Sequence, residues 1–189
     1  MKITERKIKG VFEIQLEPNE DHRGFFMRAY DNKIFEQYGI NRKWVQENHS
    51  MNKEKGTIRG FHFQFPPDAE TKLVRVISGE ILDVFLDLRK GSETFGQWDS
   101  EALSAENKKM IYIPRGFGHG MCTLTDDAEM LYKVDSYYSP ELESQIKWND
   151  PDLAIKWPVG KEPVMSEKDS KANSFKQFVE KYGGIEIKE

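Results

Sequence analysis

With 189 residues, 32% of them charged and 38% hydrophobic, the chain is long enough for one domain with a real core and leaves little room for a second. Its net charge of −4 disfavours general nucleic-acid binding, and its single cysteine, Cys122, excludes an intramolecular disulfide. No stretch approaches the length of a membrane span and the opening Met-Lys-Ile-Thr-Glu-Arg lacks the apolar run of a secretory signal, so a soluble, cytoplasmic protein is expected.

In chain order, residues 11–16 alternate apolar and polar side chains and predict a strand. Residues 34–39 read as a short helix closed by Gly39. The runs 72–89, 110–114, 121–125 and 129–134 are rich in β-branched or aromatic residues and bounded by Gly, Pro, Asp or Asn, as strands are. Residues 169–182, ending at Gly183-Gly184, predict a second helix. Many short strands with few helices imply an all-β sandwich or barrel with short peripheral helices. From about Pro158 the composition shifts toward lysine and glutamate, which reads as a C-terminal extension packed on the same domain.

Three segments carry the chemistry: Arg59-Gly-Phe-His62-Phe-Gln64, Lys72-Leu-Val-Arg75-Val and Pro114-Arg-Gly-Phe-Gly-His119-Gly. They place histidines, a lysine and arginines on β-prone stretches separated by turns, the makings of a basic pocket that moves protons on a small anionic substrate. A metal-binding β-sandwich would carry His-x-His where this chain has His62-Phe63-Gln64. Two histidines without further ligands make a weak metal site, so no metal is expected, and a metal-dependent oxygenase is disfavoured.

Neutral imidazole suits proton removal near pH 7, provided that a carboxylate fixes its tautomer. Asp83, Asp87 and Asp169 could each be that partner, and spacing alone does not choose among them. Lys72 suits a developing enolate oxygen, Arg59 and Arg75 suit phosphate, and Tyr132 could return a proton from the opposite face. His22 and His49 read as structural, and Trp98, Trp148 and Trp157 as packing. Asp83, on an apolar strand, needs a buried partner whether or not it is catalytic.

The chain resembles the dTDP-4-dehydrorhamnose 3,5-epimerase family from about Gly10 to Asp169. The resemblance rests on Arg23-Gly-Phe-Phe26, Gln46-Glu-Asn-His-Ser50, the Arg59, Lys72 and Pro114 segments above, Gly79-Glu-Ile-Leu-Asp83, Ser104-Ala-Glu-Asn107, Tyr132-Lys133, Trp148-Asn-Asp-Pro151, Trp157-Pro158 and Ser166-Glu-Lys-Asp169. It implies a cupin-like jelly roll over about 10–158, with an extension, 159–189, that contributes Asp169 to a single epimerase domain.

The resemblance further implies that His62 is the base, Asp169 its partner, Lys72 the enolate stabiliser and Tyr132 the acid. Arg59, His119 and Asp83 match other active-site positions, while Arg23, Phe26, Gln46 and Asn48 match the nucleotide and diphosphate side. The family works on a nucleotide-sugar, without a cofactor, as a homodimer whose nucleotide pocket is shared between subunits.

Among the departures, which include Glu47 for a more usual aspartate, one matters most: Arg28 stands where relatives carry a glutamate on the nucleotide side. An arginine offers only donors, which would suit CDP over dTDP if it reads the base, whereas a turn to phosphate or to a surface carboxylate would leave the base unread. The expected function is a nucleotide-linked 4-ketosugar epimerase acting at C3, C5 or both. The alternatives are a single-site epimerase on a CDP- or other NDP-linked sugar and a non-catalytic sugar-nucleotide-binding cupin.

Overall fold

The computed structural model describes residues 1–160 and 162–188. In chain order it contains β1 (Lys2–Glu5), β2 (Phe12–Gln15), β3 (Asn19–Asp21), β4 (Gly24–Phe26), α1 (Asn32–Glu36), β5 (Gln46–Asn52), β6 (Ile58–Gln64) and β7 (Lys72–Ser78). There follow β8 (Glu80–Asp87), β9 (Trp98–Ser104), β10 (Lys109–Ile113), β11 (Phe117–Thr123), β12 (Ala128–Val134), β13 (Glu143–Gln145), α2 (Glu167–Ser170) and α3 (Phe175–Tyr182).

Two antiparallel sheets face each other as a jelly-roll sandwich. One has the order β1-β2-β10-β7-β12-β5 and the other β13-β6-β11-β8-β9, while β3 and β4 form a separate hairpin. Between the sheets lies a core that includes Val74, Val76, Ile81, Phe85, Ile111, Met121 and Met130. The back of the six-stranded sheet is covered by the segment around α1, with Phe35 and Ile40 on Ile14, Leu73 and Met110.

The back of the five-stranded sheet is covered by the C-terminal segment, where Leu153, Phe178 and Ile185 meet Phe61, Phe63, Val84 and Leu86. Strand β8 is therefore buried on both faces. Its period-2 alternation sends Ile81, Asp83, Phe85 and Asp87 inward and Val84 and Leu86 outward.

Several expected elements are divided or extended. The run 72–89 is two strands, β7 and β8, broken at Gly79, whose φ of +71° and whose close approach to Thr125 leave no room for a side chain. The helix expected over 169–182 is two helices. Asn173 between them joins the sheet through a bridge to Ile146, and Ser174 then starts α3 with a capping box to Gln177. Strands β1, β3, β4, β5, β9 and β13 also lie outside the predicted runs; most of them are short or largely polar, and β4 is the three-residue Gly-Phe-Phe. No helix among the described residues is long and apolar enough to cross a membrane.

Candidate active site

Strand alternation on both sheets decides which side chains meet. On β6, Phe61 and Phe63 pack outward under the C-terminal segment, which turns His62 toward the space between the sheets. Across that space, Tyr132 on β12 stands in register with Val74 on β7 and Asn48 on β5, so Lys72, Tyr132, Asn48 and Gln46 share one inner face. The result is a cavity of about 140 Å³ lined by Gln46, Asn48, His62, Gln64, Glu70, Lys72, Tyr132, Tyr138 and Glu143. This is smaller than the roughly 300 Å³ at the low end of ordinary ligand pockets, so a nucleotide attached to a sugar in this cavity would extend outside it.

His62 Nε2 lies 2.5 Å from Asp169 Oδ1, and the Asp169 side chain is nearly sealed while the imidazole stays partly open to the cavity. Burial works against the Asp169 carboxylate. Its hydrogen bond and charge interaction with His62, a hydrogen bond from Ser166 and the charge of Arg59 nevertheless hold its pKa below the ordinary value. Arg59 itself donates to Asn52 Oδ1 at 2.7 Å.

The other two carboxylates that spacing left open are engaged elsewhere. Asp83 Oδ2 contacts His119 Nε2 at 2.7 Å in the buried interior, and Asp83 Oδ1 has no hydrogen-bond partner among the described residues. Asp87 is completely buried and accepts from Arg89, Ser92 and Thr94.

Lys72 enters the cavity with its ammonium 3.1 Å from Glu70 and 6.0 Å from the centre of the Tyr132 ring. Gln64, at the place of a second histidine in a metal cupin, has its amide fully engaged. Its Nε2 donates to the carbonyls of Asp68 and Tyr137, and its Oε1 accepts from Ser139 N–H. Gln46 Oε1 accepts from Tyr138 N–H at 2.8 Å. These two glutamines together pin the segment that carries Tyr138 over the cavity.

Sequence reasoning missed four groups here. Tyr138 donates its hydroxyl to Glu143 at 2.7 Å, Lys168 reaches the same carboxylate at 2.5 Å, and Glu70 pairs with Lys72. Burial opposes ionisation of Glu143, but hydrogen bonds from Lys168 and Tyr138 lower its pKa, and the bond to Glu143 raises that of Tyr138. The Tyr137-Tyr138-Ser139-Pro140 stretch was the one available signal, two exposed aromatics beside a proline. Glu143 carries no local pattern, and Lys168 lies in the Ser166-Glu-Lys-Asp169 stretch without being singled out there.

Arg59, Arg75, Asp83 and His119 are not among the residues that line this cavity, and three further expected residues, Arg23, Phe26 and Arg28, lie away from it within one chain. Arg23 and Phe26 line a separate depression on the β3–β4 hairpin, where Arg23 pairs with Asp21 at 2.5 Å and Phe26 is 70% exposed. Arg28 pairs with Asp31 at 3.3 Å, a surface carboxylate that also caps α1. Of the destinations open to Arg28, the structure shows the surface carboxylate.

Known proteins resemble this chain in sequence and in fold. The family model described as dTDP-4-dehydrorhamnose 3,5-epimerase matches residues 5–177. A relative of that name from Shigella flexneri is 44% identical over 177 residues, covering 93% of this chain and 96% of the relative.

A crystal structure of the enzyme of that name from Bacillus anthracis, with TDP and PPi bound, superposes with a TM-score of 0.90 at 44% identity, covering 92% of this chain and 99% of the other. The dTDP-6-deoxy-D-glucose-3,5-epimerase from Legionella pneumophila, in complex with dTDP-4-keto-L-rhamnose, superposes with a TM-score of 0.92 at 38% identity over 100% and 99% of the two chains. By the extent of these matches the chain belongs to the dTDP-4-dehydrorhamnose 3,5-epimerase family, a family of isomerases.

Proposed function

We propose that this protein inverts C3 and C5 of a dTDP-linked 4-keto-6-deoxyhexose by proton abstraction next to the ketone, with no cofactor. The observation that carries the reading is the His62–Asp169 contact at 2.5 Å, which opens onto a cavity whose opposite wall holds Lys72 and Tyr132. A ketone at C4 acidifies the hydrogens on C3 and C5, because the electron pair left behind spreads onto the carbonyl oxygen. His62 takes the proton, and Asp169 stabilises the imidazolium that forms. Lys72 supplies positive charge at the enolate oxygen. Tyr132, on the facing sheet, returns a proton to the other face of the same carbon and so inverts it.

The reading extends to the site's other parts. Arg59 and His119, the latter held by the fully buried Asp83, serve the sugar side, Gln46 and Asn48 face the diphosphate, and Glu143 with Lys168 offers polar contacts to sugar oxygens. The chain acts as one unit in which the C-terminal extension supplies Asp169. A homodimer would let the projecting β3–β4 hairpin of one copy bring its Arg23 and Phe26 to the nucleotide side of the other's cavity; the exposure of Phe25 at 55% and of Phe26 at 70% supports this arrangement.

The test is nuclear magnetic resonance of a dTDP-4-keto-6-deoxyhexose incubated with the protein in heavy water. Deuterium should enter at both C3 and C5 with formation of the doubly inverted sugar. Label at one carbon alone would reduce the activity to single-site epimerisation, and no label at either would refute the reading.

A further inference from the structure

Asp169 sits on a helix of four residues, and a single turn does not hold its own shape in water. The position of its carboxylate is therefore set by what grips α2 from outside. The chain is fixed to the sheet before the helix, where Ile58 N–H donates to Val164 O at 2.8 Å, and after it, where Lys147 N–H donates to Asn173 O at 2.8 Å. Between these anchors the helix is held by side chains. Strand β13 supplies two of them, because alternation places Glu143 and Gln145 on the same face.

Glu143 takes the Lys168 ammonium, a contact between two side chains. Gln145 acts on the main chain: its Nε2 donates to the Lys168 carbonyl at 2.7 Å. That carbonyl belongs to the peptide group whose N–H is that of Asp169, and this N–H donates to Ser166 Oγ at 3.1 Å. The peptide leading into Asp169 is thus clamped at both of its polar atoms. Gln145 is also the register partner of His62 on β6, so the same side chain ties the position beside the imidazole to the peptide that carries its carboxylate. Its own Oε1 is buried without a hydrogen-bond partner among the described residues, so the donor contact is the one polar interaction found for this amide.

We propose that Gln145 is a positioning residue for the reaction, one that sets the Asp169 carboxylate against His62 by holding the Lys168–Asp169 peptide. The inference rests on the reading of His62 and Asp169 as the proton-abstracting pair. Gln145→Met keeps the length and removes the donor, and Gln145→Glu sets an acceptor against the carbonyl.

The experiment measures kcat and KM for solvent-deuterium incorporation into the dTDP-linked ketosugar, together with dTDP affinity and Tm, for each variant in the unmodified and the Asp169→Asn backgrounds. Misplacement of a catalytic group by a fraction of an ångström should lower kcat by about 3- to 10-fold in Gln145→Met and further in Gln145→Glu, with KM and dTDP affinity unchanged. In the Asp169→Asn background Gln145→Met should have no further effect, since no carboxylate remains to be positioned.

A kcat for Gln145→Met within two-fold of the unmodified protein, a loss confined to KM, or an equal loss in both backgrounds would overturn the proposal. If Asp169→Asn alone retained full kcat, the reading of the pair itself would fall and this inference with it. An impaired Asp169→Asn beside an unimpaired Gln145→Met would remove only the role of Gln145.

Discussion

His62 and His119 are register partners on adjacent strands β6 and β11, yet each imidazole is held by its own carboxylate, His62 by Asp169 from α2 and His119 by Asp83 from β8. Their exposure separates them: the His119 side chain is 9% exposed and that of His62 31%. A group that must meet substrate needs access, and His62 has it. Replacing His119 should therefore disturb an interior contact as well as the site, and His119→Asn should lower Tm where His62→Asn does not. Equal Tm losses, measured calorimetrically, would contradict this division.

The facing position of Tyr132 allows deprotonation and inversion to be separated. Tyr132→Phe keeps the ring against the core and removes only the hydroxyl. Deuterium should still enter the sugar from heavy water, while inverted product falls by about 100-fold or more, within the range for loss of a general acid. Undiminished epimerisation in this variant would assign the acid role to another group.

Close approach of two strands should make Gly60 irreplaceable. A Cβ there would stand 2.4 Å from the His119 carbonyl oxygen and 2.7 Å from Gly120 Cα, with φ at +106°. Both obstacles are backbone, so neither can swing aside. Gly60→Ala should cost about 3 kcal/mol or more in urea unfolding, and a loss below 1 kcal/mol would mean that β6 and β11 can separate without penalty.

Asp87 gives a pH-dependent test of the fold. Burial raises its pKa, but hydrogen bonds from Arg89, Thr94 and Ser92 outweigh that effect and leave it below the ordinary carboxylate value. A depressed folded pKa means that the stabilisation is complete above the unfolded value, near 3.9, and is lost as the pH falls through the folded one. Asp87→Asn should thus cost about 2 kcal/mol at pH 7, and the gap to the unmodified protein should shrink below about pH 4. A gap independent of pH in urea titrations would show that charge is not what Asp87 contributes.

The nucleotide is decided at Arg28, or it is not. Because Arg28 pairs with Asp31 at the start of α1, it does not have to read a pyrimidine edge. Calorimetric titration should rank dTDP above CDP, and Arg28→Glu should leave that order in place. A CDP preference that reverses in Arg28→Glu would return Arg28 to the base.

Much of the architecture was legible because buried strands carry their own pattern. Residues 110–114 and 129–134 fold as the apolar runs predicted, and β8 shows why a strand buried on both faces reads as a continuous run. Strand β5 did not announce itself, since an edge strand with Asn, His and Ser facing water and cavity has no apolar face to count. The break between α2 and α3 was hidden because residues 171–174 contain no proline or glycine; it arises from the tertiary bridge of Asn173 to Ile146.

The site divides in the same way. Glycine-framed strands pointed to His62, Lys72 and His119. The carboxylate meeting His62 lies 107 residues away, so spacing could not choose it among three aspartates; the family resemblance named Asp169, and the fold has Asp87 engaged by Arg89 and Asp83 by His119. Glu143 and Lys168 escaped notice for the same reason.

The account's central claim is that His62 removes the proton next to the ketone. The measurement that tests it most directly is the rate at which the dTDP-4-ketosugar takes up deuterium from heavy water with His62→Ala, compared with the unmodified protein at saturating substrate. Uptake at C3 and C5 should fall by about 10³-fold while dTDP binds with near-normal affinity, because the base is lost and the nucleotide side is untouched. Uptake in His62→Ala at the unmodified rate would contradict the account.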